Sequence, residues 1–226
     1  MERKTHVVIT PAHNEEAHLP SLIASVVAQT APPTQWLIVD DNSTDSTLYI
    51  AEAAAREHSW IEVLRYDGEH SRALGSKVAR IVLWALERAR PDWEFFSKLD
   101  ADIVLPPHYY ATLLDRFAES SSLGIASGTC ADRVEGTLRL ERVPADHTRG
   151  AIKTYRRGCW EATGGFPPTH GWDGIDNLRA QRLGFHTRHF SELVAEHQRP
   201  TGAARGLLHG RFVTGTFAHF LGYHPL

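Results

Sequence analysis

The chain has 226 residues, of which 42% are hydrophobic and 23% are charged, and its formal net charge is −3. This composition excludes a disordered or collagen-like chain, and the absence of a net positive charge argues against a protein that binds nucleic acid. Two cysteines, Cys130 and Cys159, are too few for a disulfide framework. The sequence has neither a signal peptide nor an apolar run of about 18 residues. It therefore predicts a soluble, cytoplasmic, single-domain protein.

The first half of the chain alternates between short apolar runs and segments with helical spacing of apolar residues. Strands are predicted at 6–10, 36–39, 61–66 and 94–99, and helices at 15–29, 47–57 and 78–86. This repeated alternation predicts a parallel, doubly wound sheet with helices on both faces.

The second half has a less regular pattern. Helices are predicted at 106–117, 158–162 and 175–183, the last ended by Gly184, and strands at 123–130, 136–143 and 185–190. Some of these strands are expected to be antiparallel, and residues 203–222 give only a weak amphipathic helix.

Polar clusters follow the first, second and fourth predicted strands, at 10–16, 40–45 and 100–102. Ligands of open parallel sheets bind beyond the carboxyl ends of the strands, so these clusters predict one shared site. Asp41 is a candidate to accept a hydrogen bond from a nucleotide base. The alternative is a turn followed by a helix cap, which Asp, Asn and Ser also favour.

Asp100 and Asp102 are the sharpest signal for a metal ion. Two carboxylates at i and i+2 after an apolar strand repel each other unless a cation lies near them. Hard divalent cations take oxygen ligands and share their remaining positions with phosphates. The alternative is a loop with two solvated aspartates.

A later region combines a tight bend, two aromatic side chains and two carboxylates. Gly165 permits the bend, and Phe166 and Trp172 are candidates for a platform under a sugar ring. Asp173 and Asp176 stand where a helix begins, so each is a candidate either for a general base or for a helix-end carboxylate. Asp173 is expected to precede the helix and Asp176 to lie in its first turn.

Basic residues near the predicted site are candidates for contacts with a diphosphate. His197 and Arg199, at i and i+2, suit a metal ion and a diphosphate respectively. Arg72 and Lys77 flank a Gly-Ser pair and are candidates for the diphosphate or the base edge. The alternative for these two is a solvated helix face.

Together these motifs resemble family 2 glycosyltransferases of the GT-A fold, over residues 6–202. The resemblance rests on Pro11-Ala12-His13-Asn14-Glu15-Glu16, Asp40-Asp41-Asn42-Ser43-Thr44-Asp45-Ser46-Thr47, Lys98-Leu99-Asp100-Ala101-Asp102 and Gly164-Gly165-Phe166. It implies a Rossmann-like α/β sandwich with a mainly parallel central sheet and a smaller antiparallel acceptor-side portion. The single domain would comprise a nucleotide-sugar-binding half (1–105), an acceptor and catalytic half (106–202) and a C-terminal helix or tail (203–226).

The resemblance also implies an activity and its residues. The activity is inverting transfer of a sugar from a nucleotide-diphosphate sugar to a glycan or lipid-linked acceptor, in surface glycan or polysaccharide synthesis. Mg²⁺ or Mn²⁺ would bind Asp100 and Asp102, with His197 as a possible third ligand. For the nucleotide the resemblance implies Pro11, Ala12, Asn14, Glu15 and Asp41, and for the diphosphate Asp100, Ala101 and Arg199. The candidates named above from the residues themselves complete the predicted site: Arg72 and Lys77 for the donor, and Gly165, Phe166 and Trp172 for the acceptor.

The family's Glu-Asp motif is altered, because Trp172-Asp173 stands in its place. Asp173 is the preferred base and Asp176 its rival. The Gln-x-x-Arg-Trp signature of processive synthases is absent, which implies one transfer per encounter. The apolar end at 222–226 suggests a natural chain that continues toward a membrane, with peripheral association at its inner face.

Two other functions compete with this interpretation. A sugar-phosphate nucleotidyltransferase uses a related sheet, but it is expected to carry a Gly-rich phosphate loop after the first strand, and residues 10–16 contain no glycine. A non-catalytic nucleotide- or glycan-binding module is the other alternative. The Asp100–Asp102 pair and the two candidate bases argue against it, whereas the Trp172 departure favours it.

Overall fold

The computed structural model describes residues 4–68, 76–134, 137–141, 143–169 and 171–199. The strands in these ranges are β1 (His6–Ala12), β2 (Gln35–Asp40), β3 (Ile61–Arg65), β4 (Phe95–Leu99), β5 (Ile103–Val104), β6 (Leu123–Val134), β7 (Thr137–Leu140), β8 (Ile152–Arg156) and β9 (His186–His197). The helices are α1 (Leu19–Val27), α2 (Thr47–Glu57), α3 (Ser76–Leu86), α4 (Tyr109–Glu119), α5 (Arg157–Thr163) and α6 (Trp172–Arg182).

All strands belong to one sheet, in the order β3-β2-β1-β4-β8-β6-β9-β5, with β7 paired to β6. The block β3-β2-β1-β4 is parallel throughout, as the sequence predicts. β8 runs antiparallel to β4 and β6, while β9 returns parallel to β6. Since β1, β2 and β4 point the same way, the polar segments that follow them meet at one edge of the sheet.

Both faces of the sheet are buried. Along β1, Val8 belongs to one hydrophobic cluster and Val7 and Ile9 to the other, because successive side chains of a strand point to opposite faces. Helices α1, α2 and α4 cover the first face, and α3, α5 and α6 cover the second. The predicted doubly wound architecture is confirmed.

Several predicted boundaries are wrong. The first helix starts at Leu19, four residues after the predicted start, because Pro20 fits the first turn of a helix but not its interior. The strand predicted at 136–143 is limited to β7, and β8 was not predicted. The last helix starts at Trp172, three residues before the predicted start, and ends at Arg182, one residue before the predicted end; Gly184, which was predicted to follow the helix, has a left-handed backbone (φ 83°).

Other predictions fall where the structure offers no test. The predicted segment 203–226 lies outside the described residues, as does Arg72. The division of the domain after residue 105 stays a prediction. Among the described residues, no helix has both the length and the apolar character needed to cross a membrane.

Candidate active site

A cavity of about 270 Å³ lies at the carboxyl ends of β1, β2 and β4. It contains every described residue predicted for the donor or the metal except Asn14. Its lining consists of Pro11, Ala12, His13, Glu15, Asp41, Lys77, Val78, Ile81, Asp100, Ala101, Asp102, His197 and Arg199.

Asn14 instead joins the loop after β1 to the loop after β2. Its side-chain Oδ1 accepts a hydrogen bond from the backbone N–H of Thr44 (2.8 Å), and its own N–H donates to Ser43 Oγ (3.1 Å). A further hydrogen bond, from the Ser46 N–H to Glu16 Oε2 (3.0 Å), connects the same two loops. The first two sequence motifs therefore stabilise each other, and the Asn14 side chain shapes the cavity without lining it.

Asp41 is a buried carboxylate that keeps one free oxygen. Its Oδ2 lies 2.6 Å from Nζ of Lys77 on α3, so Lys77 lines the cavity; its contact with a diphosphate or a base stays a prediction. Its Oδ1 is buried and has no hydrogen-bond partner among the described residues. A buried acceptor without a partner is costly, so this oxygen is suited to receive a donor group from a ligand.

Asp102 is the centre of an ionic network. Its Oδ2 accepts hydrogen bonds from Nε of Arg199 (2.8 Å) and from Nε2 of His197 (3.2 Å). Arg199 also donates to Oε1 of Glu15 (2.6 Å), and Nδ1 of His197 lies 3.2 Å from Oδ1 of Asp132. The network joins the end of β9 to the loops that follow β1 and β4.

The network shifts the titration of its members. Burial raises the pKa of Asp102, but the hydrogen bonds and charges of His197 and Arg199 outweigh burial and hold that pKa well below its usual value. Burial lowers the pKa of His197, but its hydrogen bond to Asp102 and the surrounding carboxylates raise it above its usual value. Burial raises the pKa of Glu15, and Arg199 only partly offsets this.

The donor set fits a divalent cation in its chemistry. Asp100, Asp102 and His197 supply the oxygen and nitrogen ligands that Mg²⁺ or Mn²⁺ accepts. In the described part of the chain no three such side chains are gathered as a ready metal cluster. Each carboxylate faces a cation of the protein, since Asp100 pairs with Lys98 and Asp102 with Arg199.

Asp173 and Asp176 lie in different environments. Asp173 is half-buried in the first turn of α6, and among the described residues its carboxylate accepts no hydrogen bond. The prediction that Asp173 precedes the helix is wrong. Asp176, in the second turn, is 2% exposed and accepts bonds at both oxygens from Lys153 (2.9 and 3.0 Å), and also from the Tyr155 hydroxyl. The prediction that Asp176 lies in the first turn of the helix is therefore wrong. Both oxygens of Asp176 are already hydrogen-bonded, so neither is available to an acceptor hydroxyl.

The region around Gly150 connects Asp173 to the metal-side aspartates. The position that a Cβ on Gly150 would occupy is 2.7 Å from Oδ2 of Asp173. The next carbonyl, on Ala151, accepts a hydrogen bond from the Asp100 N–H (2.9 Å). One short segment of chain thus contacts both candidate sites.

The predicted aromatic platform is wrong. Phe166 and Trp172 are 3% and 5% exposed, with ring centroids 4.5 Å apart, inside the second hydrophobic cluster. Gly165 is buried against the Trp160 ring and takes a left-handed conformation (φ 72°). These residues form the core beneath α6 and leave no ring face open to a sugar.

Sequence reasoning missed three residues. Lys153 and Tyr155 hold Asp176, and Asp132 faces His197. No clear signal in the run 152–156 (Ile-Lys-Thr-Tyr-Arg) identifies Lys153 as buried, although a buried lysine needs a nearby carboxylate. Nothing in the local sequence identified Asp132 as the partner of a histidine 65 residues further along.

A doubly wound sheet with an acidic cavity at its strand ends, extended by antiparallel strands, defines the class of GT-A glycosyltransferases. Residues 7–170 match the sequence model of the family described as Glycosyl transferase family 2, and the chain belongs to this family.

Two curated relatives are similar to parts of the chain. An undecaprenyl-phosphate 4-deoxy-4-formamido-L-arabinose transferase of Aeromonas hydrophila is 31% identical over 164 residues, which is 70% of this chain and 44% of the relative. A hyaluronan synthase of Streptococcus pyogenes is 31% identical over 116 residues, which is 50% of this chain and 26% of the relative. The chain spans less than half the length of either.

Two solved structures share the fold. The mannosyltransferase PcManGT from Pyrobaculum calidifontis, in complex with GDP-Man and Mn²⁺, has a TM-score of 0.68 at 18% identity, over 89% of this chain and 59% of that chain. TarS 1–349 of S. aureus, in complex with UDP-GlcNAc, has a TM-score of 0.69 at 20% identity, over 98% and 68%. They confirm the predicted GT-A architecture.

Proposed function

We propose that the protein is a metal-dependent, inverting, non-processive glycosyltransferase that uses a nucleotide-diphosphate sugar. One observation carries the proposal. The cavity at the strand ends contains the buried carboxylate of Asp41, whose Oδ1 has no partner among the described residues. It also contains a set of groups suited to a metal and a diphosphate: Asp100, Asp102, His197 and Arg199. Membership of glycosyltransferase family 2 supports it.

The donor is recognised at its base and at its diphosphate. The free Oδ1 of Asp41 accepts a hydrogen bond from the imide or amine edge of the base. The Arg199 guanidinium suits a phosphate oxygen, since charge-assisted bonds from arginine to phosphate are strong. Asp100 and Asp102, with His197, would hold Mg²⁺ or Mn²⁺, which supplies positive charge to the diphosphate. The Mn²⁺ complex of the Pyrobaculum mannosyltransferase supports this cofactor.

Asp173 is the base in this proposal. Its carboxylate takes the proton of the acceptor hydroxyl while the acceptor oxygen bonds to the anomeric carbon of the sugar. The bond from that carbon to the diphosphate breaks, and the diphosphate keeps the electron pair, so the anomeric configuration inverts. Asp176 is excluded from this role because both of its oxygens are already engaged in the core.

We infer that the acceptor is a glycan or a lipid-linked molecule of surface glycan or polysaccharide synthesis. The names of the two curated relatives, an undecaprenyl-phosphate transferase and a hyaluronan synthase, support both options. A lipid-linked acceptor would require a cytoplasmic protein that associates peripherally with the inner face of the membrane.

The test is a transfer assay with UDP- and GDP-sugars, a mixed panel of glycan and lipid-phosphate acceptors, and Mn²⁺ or EDTA. We expect release of nucleoside diphosphate only with donor, acceptor and metal, and its loss in Asp173→Asn with donor affinity retained in calorimetric titration. Nucleoside diphosphate binding without turnover would support a binding module instead. Pyrophosphate release from a nucleoside triphosphate and a sugar phosphate would support a nucleotidyltransferase.

A further inference from the structure

Lys153 is a fully buried lysine, and the hydrogen bonds of its side chain to the described residues all go to α6. Its side chain is 0% exposed, and its Nζ donates to the Asp173 carbonyl (2.5 Å) and to both oxygens of Asp176. The same Nζ lies 5.6 Å from the centre of the Trp172 ring. One ammonium group on β8 is therefore bonded to the first two turns of the helix that carries Asp173.

The backbone of Asp173 receives a second support. The Asn177 side-chain amide donates to the Asp173 carbonyl (3.3 Å), and its Oδ1 accepts a bond from the Thr148 hydroxyl (2.7 Å). The carbonyl of Asp173 is thus held from β8 and from the segment that precedes β8, while its carboxylate makes no hydrogen bond to the described residues.

Lys153 and the surface next to the Asp173 carboxylate belong to the same stretch of chain. Gly150 lies against that carboxylate, and Ala151 accepts the hydrogen bond from the Asp100 N–H. A shift of α6 relative to β8 would therefore change the position of Asp173 relative to Asp100, which is on the metal side of the site.

The buried ion pair of Lys153 and Asp176 is not explained by the stability of the fold alone. Replacement of a buried ion pair by apolar groups of similar volume is often neutral or stabilising, so an ion pair at this point favours a specific arrangement over a more stable core. The arrangement that Lys153 specifies is the position of the Asp173 main chain.

We propose that Lys153 is a positioning residue for sugar transfer, which it promotes by fixing the Asp173 main chain relative to Gly150 and Asp100. This inference rests on the proposed function, in which Asp173 is the base. Lys153 itself touches neither donor nor acceptor in this scheme.

The decisive variant is the double substitution Lys153→Met with Asp176→Asn. Lys153→Met alone leaves a buried carboxylate without its cation and can prevent folding. The double variant contains neither charge, and the amide oxygen introduced by Asp176→Asn still accepts the Tyr155 hydroxyl. We expect its kcat to fall about tenfold to a hundredfold, as for a misplaced catalytic group. Its KM for the donor should stay within twofold, because none of its altered residues lines the cavity.

Two control variants separate positioning from general weakening of the core. Ser97→Ala removes buried hydrogen bonds to His6 (2.7 Å) and Thr154 (2.6 Å) in the same sheet without a contact to α6, so its kcat should not change. Asp176→Asn alone keeps the Lys153 bond to the Asp173 carbonyl and should retain most of kcat. If the double variant does not fold, Lys153→Gln combined with Asp176→Asn, which also contains neither charge but keeps a shorter donor, is measured by the same criteria.

A folded double variant with kcat within twofold of the original protein would overturn the proposal. So would a rise in donor KM that accounts for the whole loss of kcat/KM. If the unmodified protein transfers no sugar, the proposed function has failed. The anchoring of α6 by Lys153 is then tested by measuring amide hydrogen exchange in α6. Faster exchange at 173–177 in the double variant supports the anchoring, and unchanged exchange refutes it.

Discussion

Substitution of Gly150 by alanine tests whether the Asp173 carboxylate deprotonates the acceptor. A Cβ at this position would lie 2.7 Å from Oδ2, 3.0 Å from Cβ and 3.2 Å from Cγ of Asp173. Because Cβ and Cγ are crowded as well as the oxygen, rotation of the carboxylate alone does not relieve the contact. The Asp173 carboxylate has to turn away from the added Cβ, and α6 has to shift slightly as well, because a change of rotamer does not move the Asp173 Cβ.

We expect Gly150→Ala to lower kcat strongly and the free energy of unfolding only moderately. A displacement of about 1 Å in a catalytic group costs roughly 10²-fold in rate, so we expect kcat to fall by about two orders of magnitude. Overpacking costs about 1–3 kcal/mol of unfolding free energy, and an alanine in place of glycine returns about 0.4–1 kcal/mol where the backbone allows it. Gly150 does not have a left-handed backbone, so the variant should fold.

The assay is steady-state release of nucleoside diphosphate at saturating donor, with donor affinity measured by calorimetry. Gly158→Ala, in α5, is the matched control, since no atom lies within 4 Å of its added Cβ. We expect normal kcat in Gly158→Ala and normal donor affinity in both variants. A folded Gly150→Ala protein with undiminished kcat would refute the assignment of Asp173 as the base.

Four further predictions concern individual side chains. Asp102→Ala should abolish the metal dependence of nucleoside diphosphate binding in calorimetry and should also lower the melting temperature, because His197 and Arg199 lose the carboxylate they share; an unchanged metal dependence would remove Asp102 from the metal site. Lys77→Ala should raise the donor KM, and an unchanged KM would leave Lys77 as a structural partner only. Asp173→Asn should lower kcat by a factor of about 10²–10⁴. Asp176→Asn should instead lower the free energy of unfolding by about 3 kcal/mol, because it breaks a buried ion pair. A large loss of kcat in Asp176→Asn, with kcat retained in Asp173→Asn, would make Asp176 the base. His197 has a raised pKa, so its stabilising contribution is complete below its unfolded pKa and disappears as the pH rises through its folded pKa. In thermal melts with EDTA, His197→Gln should therefore lose more stability at pH 6 than at pH 9, and an equal loss at both would contradict this.

The parts of the fold that sequence predicts are those set by local periodicity. The buried parallel strands β1, β2 and β4 appear as short apolar runs, and the polar residues that follow them must meet because parallel strands end at one edge. This argument was enough to bring Asp41, Asp100 and Asp102 to one cavity. It needed no information on side-chain contacts.

The parts that sequence did not predict depend on pairs distant in the chain. β8 was missed because Lys153 interrupts its apolar pattern, and the carboxylate that permits a lysine there, Asp176, is 23 residues away. The contact of His197 with Asp132 likewise joins two residues that are distant in the chain. The prediction of a sugar platform at Phe166 and Trp172 is wrong because residue type alone does not distinguish a buried ring from an exposed one.

The altered Glu-Asp motif has a physical explanation in these contacts. At position 172 an indole ring replaces the expected carboxylate, and it lies 5.7 Å from Nζ of Lys98 and 5.6 Å from Nζ of Lys153. The aromatic face attracts both cations, but weakly compared with a carboxylate at bonding distance. Asp176 is one helical turn further along the same face of α6, since residues at i and i+4 are neighbours on a helix. It supplies the full negative charge to Lys153, while Asp100 supplies it to Lys98. Asp176 therefore provides a buried, paired carboxylate one turn after position 172, whereas the carboxylate of Asp173 accepts no hydrogen bond from the residues that the structure describes.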